Sequence, residues 1–287
     1  MNILKTTILM ALLTGLMVAI GGAINGSTGA MIMLVISLGM NFFSYWFSDS
    51  MVLKMYDAKE ISESDAPQLY EIVKNLAQKA ELPMPKVYII NSDVPNAFAT
   101  GRNPSHAVVA VTTGIMRALD YNEISGVLGH ELAHVKHRDI LTGTIAASMA
   151  GVISLVADIV QWGAIFGTRS DDDNGGFIGT LATIIIAPLA ATLIQMAISR
   201  SREYDADKSG GEYCGNPLYL ASALEKIEYY AQNATLENAN TSTAHMFIVN
   251  PLEGASVKLK NLFSTHPATE DRIARLREQA LELNAGN

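Results

Sequence analysis

Long apolar runs alternate with polar stretches along this 287-residue chain. The first pair of runs covers residues 6–24 and 30–47, and the second pair covers residues 141–166 and 177–198. Each run has close to the ~20 residues that an α-helix needs to cross a bilayer. The pattern therefore predicts a multi-pass membrane protein with four transmembrane helices, arranged as two hairpins.

The first apolar run has a rival interpretation as a cleaved signal peptide. It shows no clear small-x-small cleavage site, and the second run follows after only a short loop of Gly, Asn, Ser and similar residues. We therefore expect both runs to remain in the protein as a transmembrane hairpin within residues 1–47. The second hairpin is expected within residues 140–198.

The polar parts of the chain, residues 48–139 and 199–287, have the patterns of a folded α+β unit. Short apolar segments predict a small sheet, with strands at residues 86–91, 97–100 and 106–112. Apolar residues at helical spacing predict helices that begin near residues 67, 217 and 268. In the last helix the expected buried positions are Ile273, Leu276 and Leu281. The predicted fold class is mainly α, with this α+β part outside the membrane.

One helix is expected to carry the chemistry, because residues 130–134 read HELAH. A capping box at Asp120 and Glu123 predicts where this helix begins. His130 and His134 are one turn apart, so both imidazoles can reach one Zn²⁺ at about 2 Å and leave room for a third ligand and a water. Glu131 is offset so that it meets the water. A chance cluster is a poor explanation in a chain with only six histidines.

Composition narrows the class of protein further. Hydrophobic residues make up 49% of the chain and charged residues only 17%, which is too apolar for an ordinary soluble domain. The net charge of −8 provides no basic surface for nucleic acid. The single cysteine, Cys214, excludes both an internal disulfide and a zinc site built from several thiolates. Any zinc must therefore be held by histidines and carboxylates.

The charges that flank the apolar runs predict the orientation in the membrane. Basic residues are enriched on the cytoplasmic side of membrane proteins. On one side of the runs lie Lys5, Lys54, Lys59, Lys136, Arg138, Arg200 and Arg202. The loops on the other side offer only Arg169, next to three aspartates. Both termini and the HELAH motif are therefore expected in the cytoplasm, and residues just after 198 return to the side of that motif.

The third metal ligand is expected in the segment 199–207, which reads SRSREYDAD. Glu203 and Asp207 are one turn apart on one helix face. One carboxylate can bind zinc, while the other accepts the N–H of a ligating histidine and fixes its tautomer. The alternative is a charged, solvated face next to the membrane.

Four motifs in order resemble the HtpX family of bacterial membrane zinc endopeptidases, which are relatives of the eukaryotic CAAX prenyl proteases. The motifs are NAFATG at residues 96–101, HELAH at 130–134, SRSREYDAD at 199–207 and STHP at 264–267. The resemblance implies a zincin-like (gluzincin) protease domain with one Zn²⁺ per chain. It also implies that Glu203 is the third metal ligand beside His130 and His134, and that Asp207 contacts the ligands without binding the metal.

The resemblance further implies roles for two other segments. Asn96, Ala97, Phe98 and Ala99 resemble the strand that lines the family's substrate cleft, where an extended peptide pairs by its backbone. His266 resembles the residue that hydrogen-bonds the developing oxyanion opposite zinc. Without the resemblance, the first segment would be an ordinary short strand and the second residue an ordinary loop histidine.

The function that the resemblance implies is stress-linked quality control in the bacterial inner membrane. The expected substrates are misfolded or damaged membrane proteins and unfolded polypeptides, cut on the cytoplasmic side. Zinc would activate a water and Glu131 would act as general base. The lipid bilayer is the expected environment, cooperation with other membrane quality-control proteases is implied, and no nucleic-acid partner is expected.

Two alternatives come from other classes of protein. A transporter or channel with a regulatory zinc site would carry polar residues through several spans, whereas these runs contain chiefly Asp158. That carboxylate is either an intramembrane functional group or the end of the third run, and the sequence leaves both open. A scaffold with structural zinc would close the fourth coordination position with a protein ligand. We expect a metalloendopeptidase.

Overall fold

The computed structural model describes residues 2–141, 145, 200–233 and 267–285. Most of the third apolar run, the whole fourth run, Asp158 and His266 lie outside these residues. The described part is mainly helical and contains one small mixed sheet.

The N-terminal helix α1 (Asn2–Met55) contains a break that turns it into a hairpin. Asn25 (φ −142°, ψ 38°) and Gly26 (φ 54°, ψ −142°) depart from helical geometry. The positive φ of Gly26 is a conformation that residues with a Cβ rarely adopt. The two halves lie side by side, and the Asn41 side-chain amide donates to Thr14 Oγ1 across them at 2.9 Å.

Within the described ranges, one helical segment, Asn25–Phe47, is long and apolar enough to cross a membrane. The shorter apolar segment Met10–Ala19 lies in the other half of the hairpin. Large apolar side chains of the second half face outward, with Phe42 58% exposed and Phe43 60% exposed. Such an apolar surface is typical of a contact with lipid or protein. The prediction of four spans is not confirmed, because the third and fourth runs lie outside the described residues.

A four-stranded mixed sheet follows α1. Its strands are β1 (Lys59–Glu60), β2 (Lys86–Ile90), β3 (Ala97–Thr100) and β4 (Val108–Thr112). In the order β1-β2-β4-β3, the central pair is parallel and the two outer pairs are antiparallel. Sequence patterns predict β2, β3 and β4 but not β1, because two exposed residues show no readable alternation. β3 lies at an edge of the sheet.

The remaining described helices pack around the sheet. They are α2 (Pro67–Lys79), α3 (Thr113–Ala118), α4 (Tyr121–Lys136), α5 (Arg200–Cys214), α6 (Pro217–Asn233) and α7 (Thr269–Ala285). Sheet and helices share one apolar core, in which Val109, Leu128 and Leu224 are completely buried. Helix α4 contacts α2, α5, α6 and β3. The HELAH motif on α4 is therefore enclosed by packed elements.

One prediction of burial in helix α7, that of Leu281, is wrong. Ile273 and Leu276 are buried as expected, but Leu281 is 71% exposed. The buried face of the helix continues instead through Gln279, whose side-chain amide donates to the Lys208 carbonyl oxygen at 2.8 Å. A polar side chain can occupy this inner position because its hydrogen bond is satisfied there.

The end of α1 is packed onto the sheet next to β3. Val52 and Leu53 of α1 are buried in a second apolar cluster with Phe98 and Val108. The centroid of the Tyr56 ring lies 5.5 Å from that of the Phe98 ring. The apolar hairpin and the sheet are therefore joined by a packed contact, which positions β3 relative to the candidate membrane span.

Candidate metal centre

The start of α4 is fixed by the predicted capping box, which positions the motif at 130–134. Asp120 Oδ1 accepts a hydrogen bond from the Glu123 amide at 3.0 Å, and Glu123 Oε2 accepts one from the Asp120 amide at 2.9 Å. Two side chains of α6 donate to the Glu123 carboxylate as well, those of Ser222 and Lys226. The prediction of this cap is confirmed, and the cap also ties α4 to α6.

Three side chains from two helices converge at one point. His130 Nε2 and His134 Nε2 of α4 lie 3.2 Å apart. Glu203 of α5 places Oε2 3.7 Å from His130 Nε2 and Oε1 3.5 Å from His134 Nε2. Two ligand atoms of one tetrahedral zinc, each ~2.0–2.1 Å from it, lie about 3.4 Å apart. The three side chains are therefore spaced as the ligands of a single metal ion.

Two glycines let α4 and α5 cross closely enough for this arrangement. A Cβ at Gly210 of α5 would lie 2.6 Å from the His130 amide nitrogen. A Cβ at Gly129 of α4 would lie 2.8 Å from the Gly210 carbonyl oxygen. Both distances are too short for a real side chain, so a larger residue would push the helices apart. The crossing at these glycines sets the distance from Glu203 to the two histidines.

The electrostatic field of the site favours a cation. Burial opposes the charged form of His134, but Glu203, Asp139 and Glu131 outweigh burial and raise the pKa of His134 to about 9. A metal ion at the three ligand atoms would be stabilised by the same carboxylates. Nitrogen and oxygen donors without thiolate form a usual zinc ligand set of the His₂Glu type. The residues present therefore fit zinc.

Asp207 lies behind the first histidine. Its Oδ1 atom is 2.8 Å from His130 Nδ1, on the opposite side of the ring from the ligand atom Nε2. Arg272 of α7 is fully buried and donates to both oxygens of Asp207, at 2.7 and 2.8 Å. Burial opposes ionisation of Asp207, but Arg272 and then His130 outweigh it and lower the pKa of Asp207 to about 2. Asp207 is therefore a fixed anion that faces His130.

A comparable pair lies behind the second histidine, and sequence reasoning missed it. Asp139 Oδ2 is 3.4 Å from His134 Nδ1, and Asp139 Oδ1 is 3.3 Å from the Arg202 guanidinium. Asp139 follows His134 by five residues, which is not a helical spacing. No periodic pattern could therefore have placed its carboxylate beside that ring.

The Glu131 side chain points to the edge strand. Its Oε2 atom accepts a hydrogen bond from the Ala99 backbone amide of β3 at 3.0 Å. The Asn96 carbonyl oxygen accepts a hydrogen bond from the Thr112 amide of β4 at 2.9 Å, so the backbone groups of Asn96 point to β4. Because the backbone groups of an antiparallel ladder alternate in direction, those of Phe98 also point to β4, while those of Ala97 and Ala99 point to the side on which no described strand is paired. Sequence reasoning did not detect the contact between Glu131 and Ala99.

The structure brings most of the predicted site residues together. The predicted ligands, the predicted base Glu131, the supporting Asp207 and the strand β3 surround one point. Of the predicted substrate residues, Asn96 and Phe98 are 2% and 3% exposed, so their side chains are unavailable to a peptide. The backbone groups of Ala97 and Ala99 are the part of β3 that points away from β4. His266 lies outside the described residues.

Fold and site together define a class of protein. A helix presents two histidines and a glutamate, a second helix adds a carboxylate at metal-ligand distance, and strand β3 contacts the glutamate of the first helix. This is the arrangement of a zincin-like metallopeptidase.

Comparisons with known proteins identify the family. The model of peptidase family M48 matches residues 63–280. The protease HtpX homolog of Thermodesulfovibrio yellowstonii is 59% identical over 282 residues, covering 98% of this chain and 99% of that protein. The corresponding homolog of Methylibium petroleiphilum is 58% identical over 278 residues, covering 96% of each chain. The chain belongs to peptidase family M48 and is a metalloprotease.

A solved structure supports the same fold. The crystal structure of S. mikatae Ste24p superposes with a TM-score of 0.53 over 96% of this chain, at 16% sequence identity. This chain spans only 65% of the length of that protein. The similarity therefore describes a shared architecture.

Proposed function

We propose that this metalloprotease is a zinc-dependent endopeptidase of a bacterial inner membrane, which cleaves misfolded or damaged membrane proteins on the cytoplasmic side. The observation that carries the proposal is the cluster of His130, His134 and Glu203, with Glu131 held beside it. The described residues supply three protein ligands and no fourth one, which would leave a tetrahedral position open, as in catalytic zinc sites. A structural zinc site would fill that position with protein.

The catalytic roles follow from the geometry around Glu131. Zinc bound at the cluster would supply Lewis acidity, which polarises a carbonyl and lowers the pKa of a bound water to about 7. Glu131 is the residue placed to accept the proton of that water and to return it to the leaving amine. Its Oε2 atom is held by the Ala99 amide, which leaves Oε1 for proton transfer. No residue forms a covalent intermediate in this scheme.

Strand β3 is proposed to position the substrate. Among the described residues no strand pairs with the outer side of β3, where the backbone N–H and C=O of Ala97 and the C=O of Ala99 point, and an extended peptide can pair there as an additional strand. Backbone pairing is independent of side-chain identity, which suits an enzyme that acts on many unfolded segments. His266 is proposed to complete the site by hydrogen bonding the developing oxyanion, as its STHP motif implies.

The packing of α1 supports a site close to a membrane surface. Trp46 lies at the end of the candidate span Asn25–Phe47 and is 45% exposed, as expected of an aromatic residue at a membrane–water interface. The Arg102 guanidinium lies 4.8 Å from the centroid of the Trp46 ring. Arg102 belongs to the turn after β3, so the C-terminal end of this strand would lie next to the bilayer.

The proposed function predicts that the purified protein contains about one zinc per chain and cleaves casein. Removing zinc with a chelator should abolish cleavage, and adding zinc back should restore it, because both the water and the carbonyl depend on the metal. Elemental analysis and a casein cleavage assay measure the two quantities. Zinc-containing protein that leaves casein intact would favour a transporter or a scaffold instead.

The proposed orientation predicts opposite results for two reporter fusions. A reporter that is active only in the periplasm should be active when fused after Asp173 and silent when fused after Asn287. The physical reason is the asymmetry of lysine and arginine around the apolar runs. Equal activity of the two fusions would contradict the second hairpin and the cytoplasmic placement of Glu203.

A further inference from the structure

Both histidines of the metal centre have the same type of support. Behind His130, the pair of Asp207 and Arg272 faces Nδ1. Behind His134, the pair of Asp139 and Arg202 faces the corresponding atom. We infer that Asp139 and Arg202 are positioning residues, which orient His134 for metal binding. The inference deepens the proposed function and rests on it.

The chain places Asp139 by a specific turn at the end of α4. Arg138 has a positive φ of 61°, which reverses the chain direction after the last helical residues. The Asp139 amide then donates to the His134 carbonyl oxygen at 2.9 Å, as in a Schellman motif. The same turn brings the Asp139 carboxylate back to the His134 ring. The helix terminator and the histidine partner are therefore one local structure.

Arg202 comes from the helix that also supplies a ligand. It precedes Glu203 in the first turn of α5, and its guanidinium donates to Asp139 Oδ1 at 3.3 Å. The side chains of Arg202 and Asp139 are 16% and 9% exposed, so little water can replace either partner. The pair thus connects the support of His134 to the backbone turn that carries Glu203.

The chemistry of a ligating imidazole explains why this support matters. A neutral histidine that binds metal through Nε2 carries its proton on Nδ1, and a carboxylate acceptor holds that tautomer and the ring orientation. Arg202 supplies the positive charge that Asp139 needs in a mostly buried position. Loss of such a partner typically weakens metal binding by ~10–100-fold.

The ion pair of Asp139 and Arg202 also connects the two ends of a long segment of the chain. Asp139 lies two residues before the start of the third apolar run, 141–166, and Arg202 lies four residues after the end of the fourth run, 177–198. The contact of Asp139 with Arg202 therefore joins the two ends of this segment at the metal centre.

The test compares Asp139→Asn, Arg202→Gln and the double variant in the full-length protein. Zinc affinity is measured by competition with a chromogenic chelator, and the midpoint of thermal unfolding is measured on the metal-free protein. Each single variant should bind zinc about 10–100-fold more weakly. The double variant should lose little more than Asp139→Asn alone, because the two residues act as one unit.

Matched controls separate positioning from general effects of charge. Arg202→Lys should retain most of the affinity lost in Arg202→Gln, since a cation still faces Asp139. Asp205→Asn, which removes an exposed carboxylate from the same helix as Arg202, should leave zinc affinity unchanged. Asp139→Asn preserves side-chain volume, so it decides the question alone if Arg202→Gln fails to fold.

Two results would overturn the inference. Wild-type zinc affinity in Asp139→Asn would show that Asp139 does not orient His134 for metal binding. Losses in the two single variants that multiply in the double variant would show independent action. An unmodified protein that binds no zinc is a different result, because it would overturn the proposed function and the inference with it.

Discussion

Glu131→Gln is expected to leave about one zinc bound while hydrolysis falls by at least the ~10²–10⁴-fold typical of losing a general base. The substitution removes the proton acceptor but no ligand. Glu203→Gln is expected to behave differently, because it replaces an anionic ligand with a weak neutral one. Zinc should then be lost or bound much more loosely, and activity should partly return with excess metal.

Zinc content and casein hydrolysis of both purified variants distinguish the two glutamates. Full zinc in Glu203→Gln would mean that the third ligand is another residue, with Asp207 and His266 as the next candidates. Substantial proteolysis by Glu131→Gln would contradict the proposed mechanism, in which Glu131 is the general base. The two variants are matched, since both change a buried carboxylate to an amide at the same metal centre.

Arg272→Met is expected to lower the free energy of unfolding by ~3–5 kcal/mol, because removing one partner leaves a buried charge uncompensated. Arg272 is 1% exposed and bidentate to Asp207, whose pKa it helps to hold at about 2. The loss should be present at neutral pH and shrink as pH falls through ~4 to 2. In that range Asp207 becomes protonated in the native protein, so its ionised form no longer adds to the free energy of unfolding.

Urea unfolding of the metal-free protein in detergent measures this effect. Arg277→Met is the control on the same helix, because its ion pair with Glu225 is exposed and should contribute no more than ~1 kcal/mol. Combining Arg272→Met with Asp207→Leu removes both charges and should recover part of the lost stability. Equal stability of Arg272→Met and Arg277→Met would contradict the role assigned to the buried pair.

The sequence alone determined the elements whose signals are local. The capping box at Asp120, the one-turn spacing of His130 and His134, and the apolar strands all depend on residues a few positions apart. Spacing also indicated Glu203 and Asp207, since a carboxylate pair one turn apart at the start of a helix is visible in the sequence, and the family resemblance assigned Glu203 as the ligand. Helical spacing wrongly predicted that Leu281 is buried. The buried position on that helix belongs to Gln279, whose hydrogen bond to the Lys208 carbonyl oxygen comes from another helix.

The tertiary structure decided which groups support the metal centre. Arg272 reaches Asp207 across 65 residues, and Arg202 reaches Asp139 across 63. The Ala99 amide reaches Glu131 from another element, although an amide carries no sequence signal. Asp139 depends on a left-handed residue at the end of α4. The contacts of Arg272, Arg202 and the Ala99 amide arise only when separate elements pack, so they follow from packing and long-range charge pairing, whereas the ligand motif follows from the geometry of a single helix.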